Sequence, residues 1–367
     1  MFRFSFRMTF LGYIQAIVLF IGVVSPRGLW ADFTIKIDYS LDTNNFFNTQ
    51  ARKDALQAVT NRFQRVLAPS SLAAVSASGT GSGTPAGWRV GLSHPGTGAS
   101  YQISTAASSA TDTLVAAGAA NQYGFSGLAI NEWTLYAGGR VLGGPAGVGG
   151  TATGSNFTST FDDLNGPLHR GLIANTPSNT VNDLPVWGGA ISFDTTTNWH
   201  FGVATAASGT SIDFFTIALH EVGHALGLAT SWNQIGKDIS GIAYSGSNTL
   251  AAFNADNGTG LISIDLVSAA DHHFKDATYQ SLIFAGGAPE LAGTVGLATR
   301  QDLLMEPIAN FSSSVRRFEL TNTDVAQLRD IGWSTITAVP EPSFCFLLIA
   351  VAGCGWCGHR LRFTRRQ

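Results

Sequence analysis

The chain has 367 residues, 45% hydrophobic and 12% charged, which excludes a disordered chain and supplies a substantial core. Residues 1–31 carry three Arg and no acid, and residues 339–367 carry four Arg and one Glu, so taking both ends from the formal −3 leaves −9 for residues 32–338. An acidic body argues against nucleic acid as a partner, because phosphate binding needs clustered Lys and Arg.

In chain order, residues 1–31 read as a secretory signal peptide. Arg3 and Arg7 give a charged start, Phe10 to Val24 is an almost unbroken apolar run, and Ala31 suits the residue before a cut. The body, residues 32–338, begins with Phe33, Ile35, Ile37 and Tyr39 alternating with polar residues, the pattern of a half-buried strand. Ala51 to Leu67 is predicted as a helix, since Leu56, Val59, Phe63, Val66 and Leu67 recur at spacings of three and four. Arg89 to Leu92 and Leu128 to Tyr136 are candidate strands. The Gly/Ser/Thr/Ala-rich segments 69–87 and 143–159 are expected as loops. Gly188 to Asp194 is the next strand signal, followed by a linker with Trp199 and His200. Ile212 to Leu228 is the strongest helix signal. Ser211 or Asp213 can cap its start and Gly227 can help end it. Residues 231–300 are expected to be irregular. Thr321-Asn322-Thr323-Asp324 has capping-box spacing and opens a last short helix with Val325, Leu328 and Ile331 on its inner face.

The tail, residues 339–367, has three parts. Val339-Pro340-Glu341-Pro342-Ser343 breaks regular structure, Phe344 to Gly358 is apolar, and Arg360, Arg362, Arg365 and Arg366 follow. A short apolar helix followed by cations is expected to stop in a membrane with the arginines inside. The three cysteines, Cys345, Cys354 and Cys357, all lie here, so the body has neither a disulfide framework nor a thiolate metal site. Cys354 and Cys357 have redox-motif spacing without the folded context a reactive thiol needs.

The chemistry concentrates in His220-Glu221-Val222-Gly223-His224. Residues four apart on a helix share a face, so both imidazoles can bind one zinc ion. Glu221 points about 100° round the helix, following the 3.6-residue turn. There it flanks the metal and can accept a proton from the activated water. Two surface histidines on a helix are the plain alternative. Against it, Phe214, Phe215, Leu219, Val222, Leu226 and Leu228 make the helix apolar, and buried His and Glu need partners such as a metal and its water. His94 and His169 lie in polar stretches and read as surface groups.

This constellation resembles the metzincin metallopeptidases. The extended motif runs from His220 through Gly227, Leu303-Leu304-Met305-Glu306-Pro307 looks like the family's methionine turn with Met305 as its methionine, and Gly188 to Asp194 followed by Trp199 resembles the matrixin edge strand. Leu320 to Trp333 resembles the closing helix. The resemblance implies an α+β fold, with a twisted, mostly parallel or mixed sheet, an active-site helix and a small C-terminal subdomain closed by a helix. It implies an exported zinc metalloendopeptidase with Glu221 as general base and His220 and His224 as ligands. A protein or peptide substrate would lie extended along the strand containing Ile191. Asp162, Asp163 and Asp194 become candidates for calcium, which matrixins bind, although no loop shows a recognisable ligand series.

One departure matters. The family's third-ligand position holds Thr230, whose neutral hydroxyl is a poor zinc ligand. The leishmanolysin-like branch takes its third His from a distant segment before the methionine turn, and between His224 and Met305 the only histidines are His272 and His273. The aromatic Phe274 after it favours His273, with His272 the alternative and a different third group still open. A degenerate site would leave a non-catalytic, adhesin-like surface or matrix protein. The tail resembles the PEP-CTERM sorting signal of Gram-negative exported proteins. That implies processing by an exosortase, transient anchoring in the inner membrane, and release to the cell surface or outside.

Overall fold

The computed structural model describes residues 33–67, 72, 88–104, 120–123, 128–156, 186–205, 207–229, 239–268, 273–275, 279–284, 300–307 and 317–336. By its contacts the chain divides into Met1–Ala31 and Asp32–Gln367, and all described residues lie in the second unit.

β1 (Thr34–Asp38) leads to helix α1 (Gln50–Val66). Thr49 caps α1 by accepting from Arg52 N–H, and its apolar face buries Leu56, Val59, Phe63 and Val66. β2 (Trp88–Ser93), β3 (Ser100–Ser104), β4 (Ala120–Tyr123), β5 (Glu132–Arg140), β6 (Gly147–Asn156) and β7 (Val186–Asp194) complete a seven-stranded sheet of order β1-β5-β7-β6-β2-β3-β4. It is mixed: β1–β5, β5–β7 and β3–β4 pair in parallel, and β6–β7, β2–β6 and β2–β3 pair antiparallel. The α+β expectation with a mixed sheet is compatible with this architecture; the mostly parallel version is not.

Two expectations fail in this sheet. Segment 143–159 does not run as a loop, because Gly147–Asn156 is strand β6. Gly188–Asp194 is not an edge, because β7 is hydrogen-bonded between β5 and β6. Glycine normally depletes strands, but it is tolerated where another backbone approaches closely. A Cβ on Gly149 would fall 2.2 Å from the Glu221 carbonyl oxygen, and one on Gly147 would fall 2.6 Å from Glu221 Cγ. The glycines that read as loop are the clearance for a helix.

β8 (Trp199–His200) pairs with β9 (Ile212–Asp213) immediately before helix α2 (Phe214–Ala225). Phe46, Phe193, Trp199, Phe201 and Phe214 form one aromatic cluster at the start of α2, with Phe193 and Phe214 centroids 4.6 Å apart. Burying one such side chain contributes about 1.5–3 kcal/mol, so the cluster anchors the helix firmly against the sheet.

The expectation of irregular chain across 231–300 is corrected by β10 (Ile239–Ser240), β11 (Ala243–Tyr244), helix α3 (Ser247–Asn257), β12 (Ile264–Asp265) and β13 (Gln280–Leu282). α3 lacks an amphipathic stripe and buries only Thr249 and Phe253. Its start is capped from a distance: Asp330 accepts from Asn248 N–H at 2.9 Å and Thr249 N–H at 2.9 Å. No local pattern encodes such a cap. β14 (Arg300–Asp302) pairs with β13, and helix α4 (Asn322–Asp330) closes the domain. α4 carries the expected capping box, with Thr321 and Asp324 each accepting from the other's backbone. No helix among the described residues is long and apolar enough to cross a membrane, and the expected signal peptide (residues 1–31), the expected sorting tail (residues 339–367) and the segment 69–87 apart from Leu72 lie outside them.

Candidate metal centre

Helix α2 is buried along its whole length. Of the two candidate caps Asp213 is the one used, accepting from Thr216 N–H at 3.1 Å. Arg317 grips the same carboxylate through Nε at 3.1 Å and Nη2 at 2.7 Å, a bidentate pair that fixes the helix start. The helix ends as its glycine suggests. Gly227 takes φ 108° and Leu228 N–H returns to the Gly223 carbonyl at 3.0 Å. Trp333 Nε1 donates to the Leu226 carbonyl at 2.9 Å, tying that end to the closing segment.

The turn after α2 orients His224, and a distant turn orients His220. Leu228 O accepts from His224 Nδ1 at 3.0 Å, and Leu304 O accepts from His220 Nδ1 at 2.6 Å. With each Nδ1–H donated to a carbonyl, each Nε2 is left as a lone pair. Those two Nε2 atoms lie 2.9 Å apart, and His273 Nε2 lies 3.0 Å from one and 3.2 Å from the other. The His220 and His273 rings are parallel within 1°, and His224 stands at 88° to both. Burial and the two neighbouring imidazoles hold His220 well below its ordinary pKa. Facing lone pairs repel unless a cation lies among them. Zinc at about 2.0–2.1 Å from each nitrogen would space a tetrahedral set about 3.3 Å apart, near what is seen, so the residues fit that ion.

His273 reaches the pair through its backbone. Val267 N–H donates to His273 O and Phe274 N–H donates to Met305 O, each at 2.8 Å, and Phe274 is fully buried against Tyr244. Met305 lies fully buried beneath α2, where a Cβ on Gly223 would meet its Cε at 2.8 Å. Gly223, between the two histidines in sequence, therefore makes room for the methionine.

Glu221 is 6% exposed and stands outside the three-histidine group. Burial pushes its carboxyl up to about 8, with the nearby Gly149 backbone acting in the lowering direction. Other polar side chains near the site or singled out in the sequence are engaged elsewhere or lie outside the described residues. His200 Nε2 lies 3.0 Å from Thr205 O and is engaged there, not with the three histidines. Asp194 accepts from Leu142 N–H at 3.0 Å and from the Thr196 and Thr197 hydroxyls, which gives its oxygens protein partners. His94 is corrected from a surface group to a buried one: its Nδ1 accepts from Gly96 N–H at 3.1 Å within a tight turn. Asp162, Asp163, His169, Thr230 and His272 lie outside the described residues. Sequence reading missed the carbonyls of Leu228 and Leu304 and the glycines of β6. Backbone acceptors leave no residue-type signal, whereas the glycine run is visible in the sequence and reads there as a loop.

No curated protein and no solved structure matches the chain. Residues 165–249 match the family model described as Matrixin (Peptidase_M10), a stretch that includes β7 and α2 and ends before His273. Members of that family use zinc. The match supports a metzincin-type metallopeptidase, a zinc-using hydrolase at the level of the family.

Proposed function

We propose that the chain is an exported zinc-dependent endopeptidase in which His220, His224 and His273 would hold the ion and Glu221 is the general base. The observation that carries this reading is the convergence of three Nε2 atoms within 2.9–3.2 Å of one another, one residue along α2 from a buried carboxylate. Bound zinc supplies Lewis acidity to the scissile carbonyl and to the attacking water. Glu221 takes that water's proton and returns it to the leaving amine, so no covalent intermediate forms. β6 lies close against Glu221, where a Cβ on Gly147 would fall 2.7 Å from its Oε1.

The substrate strand changes from the sequence reading. β6 pairs with β7 over Gly147–Thr153 but with β2 only over Trp88–Gly91 opposite Thr153–Asn156. Among the described residues nothing pairs with the other side of Gly147–Ala152, beside Glu221. An extended peptide adds to that edge through backbone hydrogen bonds. Export through residues 1–31, and exosortase handling of residues 339–367 with transient inner-membrane anchoring, complete the proposal. They rest on the charged and apolar order of those segments. Calcium has no further support.

The purified protein is expected to bind one zinc and to cleave an unfolded casein-like substrate. Cleavage should fall about 10²–10⁴-fold in Glu221→Ala with zinc retained, the loss expected for a general base. Chelation should abolish it. Zinc binding without any cleavage by the wild type would instead favour the non-catalytic surface or matrix protein.

A further inference from the structure

The buried carboxylate of Asp324 does two jobs with its two oxygens. Oδ2 accepts from Thr321 N–H at 2.8 Å and Thr321 Oγ1–H at 2.7 Å, which is the capping box of α4. That motif needs nothing more. Oδ1 accepts from Leu304 N–H at 2.9 Å, twenty residues back in the chain. Leu304 in turn presents its carbonyl to His220 Nδ1 at 2.6 Å. The next residue, Met305, accepts from Phe274 N–H at 2.8 Å and so holds the segment that carries His273. Two of the three imidazoles thus take their placement from a short turn, and one buried carboxylate pins that turn from the closing helix.

We infer that Asp324 is a positioning residue for the metal centre, fixing Leu304 so that its carbonyl holds His220 as the Nδ1–H tautomer with Nε2 turned to the ion. The inference rests on the zinc-site reading proposed above. It makes α4 part of the metal centre's support and not only the domain's closing element. Outer groups that orient a ligating histidine typically change metal affinity about 10–100-fold when removed.

Asp324→Asn separates the two jobs. Thr321 offers two donors to one oxygen and Leu304 offers one to the other. The amide therefore keeps its oxygen at Thr321 and turns its NH2 against Leu304 N–H. The full chain is compared by zinc titration against a competing chelator, by ¹⁵N shifts of the His220 ring in metal-free protein, and by circular dichroism. Asp324→Asn should weaken zinc about 10-fold or more and mix the His220 tautomers while the fold persists. Thr321→Val, which breaks the cap and leaves Leu304 bound, should lower thermal stability yet keep zinc affinity within about two-fold, well short of that range. If Asn does not fold, Asp324→Ala relieves the donor–donor contact and takes the same test. Wild-type zinc affinity and an unchanged His220 tautomer in a folded Asp324 variant would overturn the inference, as would failure of both variants to fold. Absence of zinc binding in the wild type would sink the zinc-site reading alone, since the tautomer comparison still decides the role of Asp324.

Discussion

His220 and His224 differ from His273 in how they come to the same point. The first two share one face of α2, held by a capped start, a glycine-turned end and the packing of Phe214 and Val222. Their relative placement is a property of a single helical turn. His273 arrives on a short segment whose position depends on backbone bonds from Val267 and to Met305. The helix pair is preorganised locally, and the third donor is assembled from chain that is distant in sequence. The helix pair is therefore robustly placed, while the third imidazole depends on the segment that carries His273 keeping its backbone bonds to Val267 and Met305.

The largest expected effect removes the assembled donor. His273→Ala should abolish stoichiometric zinc binding and leave α2 intact, because its imidazole supplies one of three protein nitrogens. His272→Ala should keep zinc. Metal analysis after dialysis decides between them, and the reverse result would transfer the role to His272. A smaller effect probes the local pair. Gly149→Ala puts a methyl 2.2 Å from the Glu221 carbonyl, a backbone atom that cannot swing aside, so β6 must move from α2. Urea unfolding should show a loss of about 1–3 kcal/mol, the range for overpacking, together with reduced cleavage. A wild-type melt would show that β6 does not press on the helix.

The smallest effect concerns charge. Burial raises Glu221 from 4.5 to about 8 in the metal-free protein, so the folded chain holds that proton more tightly than the unfolded chain. Its contribution to stability is complete below pH 4.5 and is lost as pH rises through 8. Glu221→Gln carries no such proton. Melts of the two metal-free proteins should draw apart in favour of the Gln variant between pH 5 and pH 8. A constant difference across that range would mean the carboxylate is solvated.

Much of the site was legible because its chemistry is local. His220, Glu221 and His224 announce their geometry by spacing alone, and Thr321 with Asp324 announces a helix start that the structure shows. The fold was less legible where long-range contacts override local pattern. β6 hid as a loop because glycine there serves a neighbouring helix, and β7 reads as an edge through its resemblance to the matrixin edge strand, which leaves no room for a β6 hidden as a loop. α3 was missed because Asp330, more than 80 residues away, supplies its cap. The Leu304 and Leu228 carbonyls that set the histidine tautomers carry no signal in residue type.

The most direct measurement is X-ray absorption at the zinc edge on the purified full chain. One zinc per chain with three imidazole nitrogens at about 2.0–2.1 Å, reduced to two in His273→Ala if any ion remains, is the predicted result. An ion bound without the α2 histidines, or no ion at all, would contradict the metal centre on which the proposed hydrolysis depends.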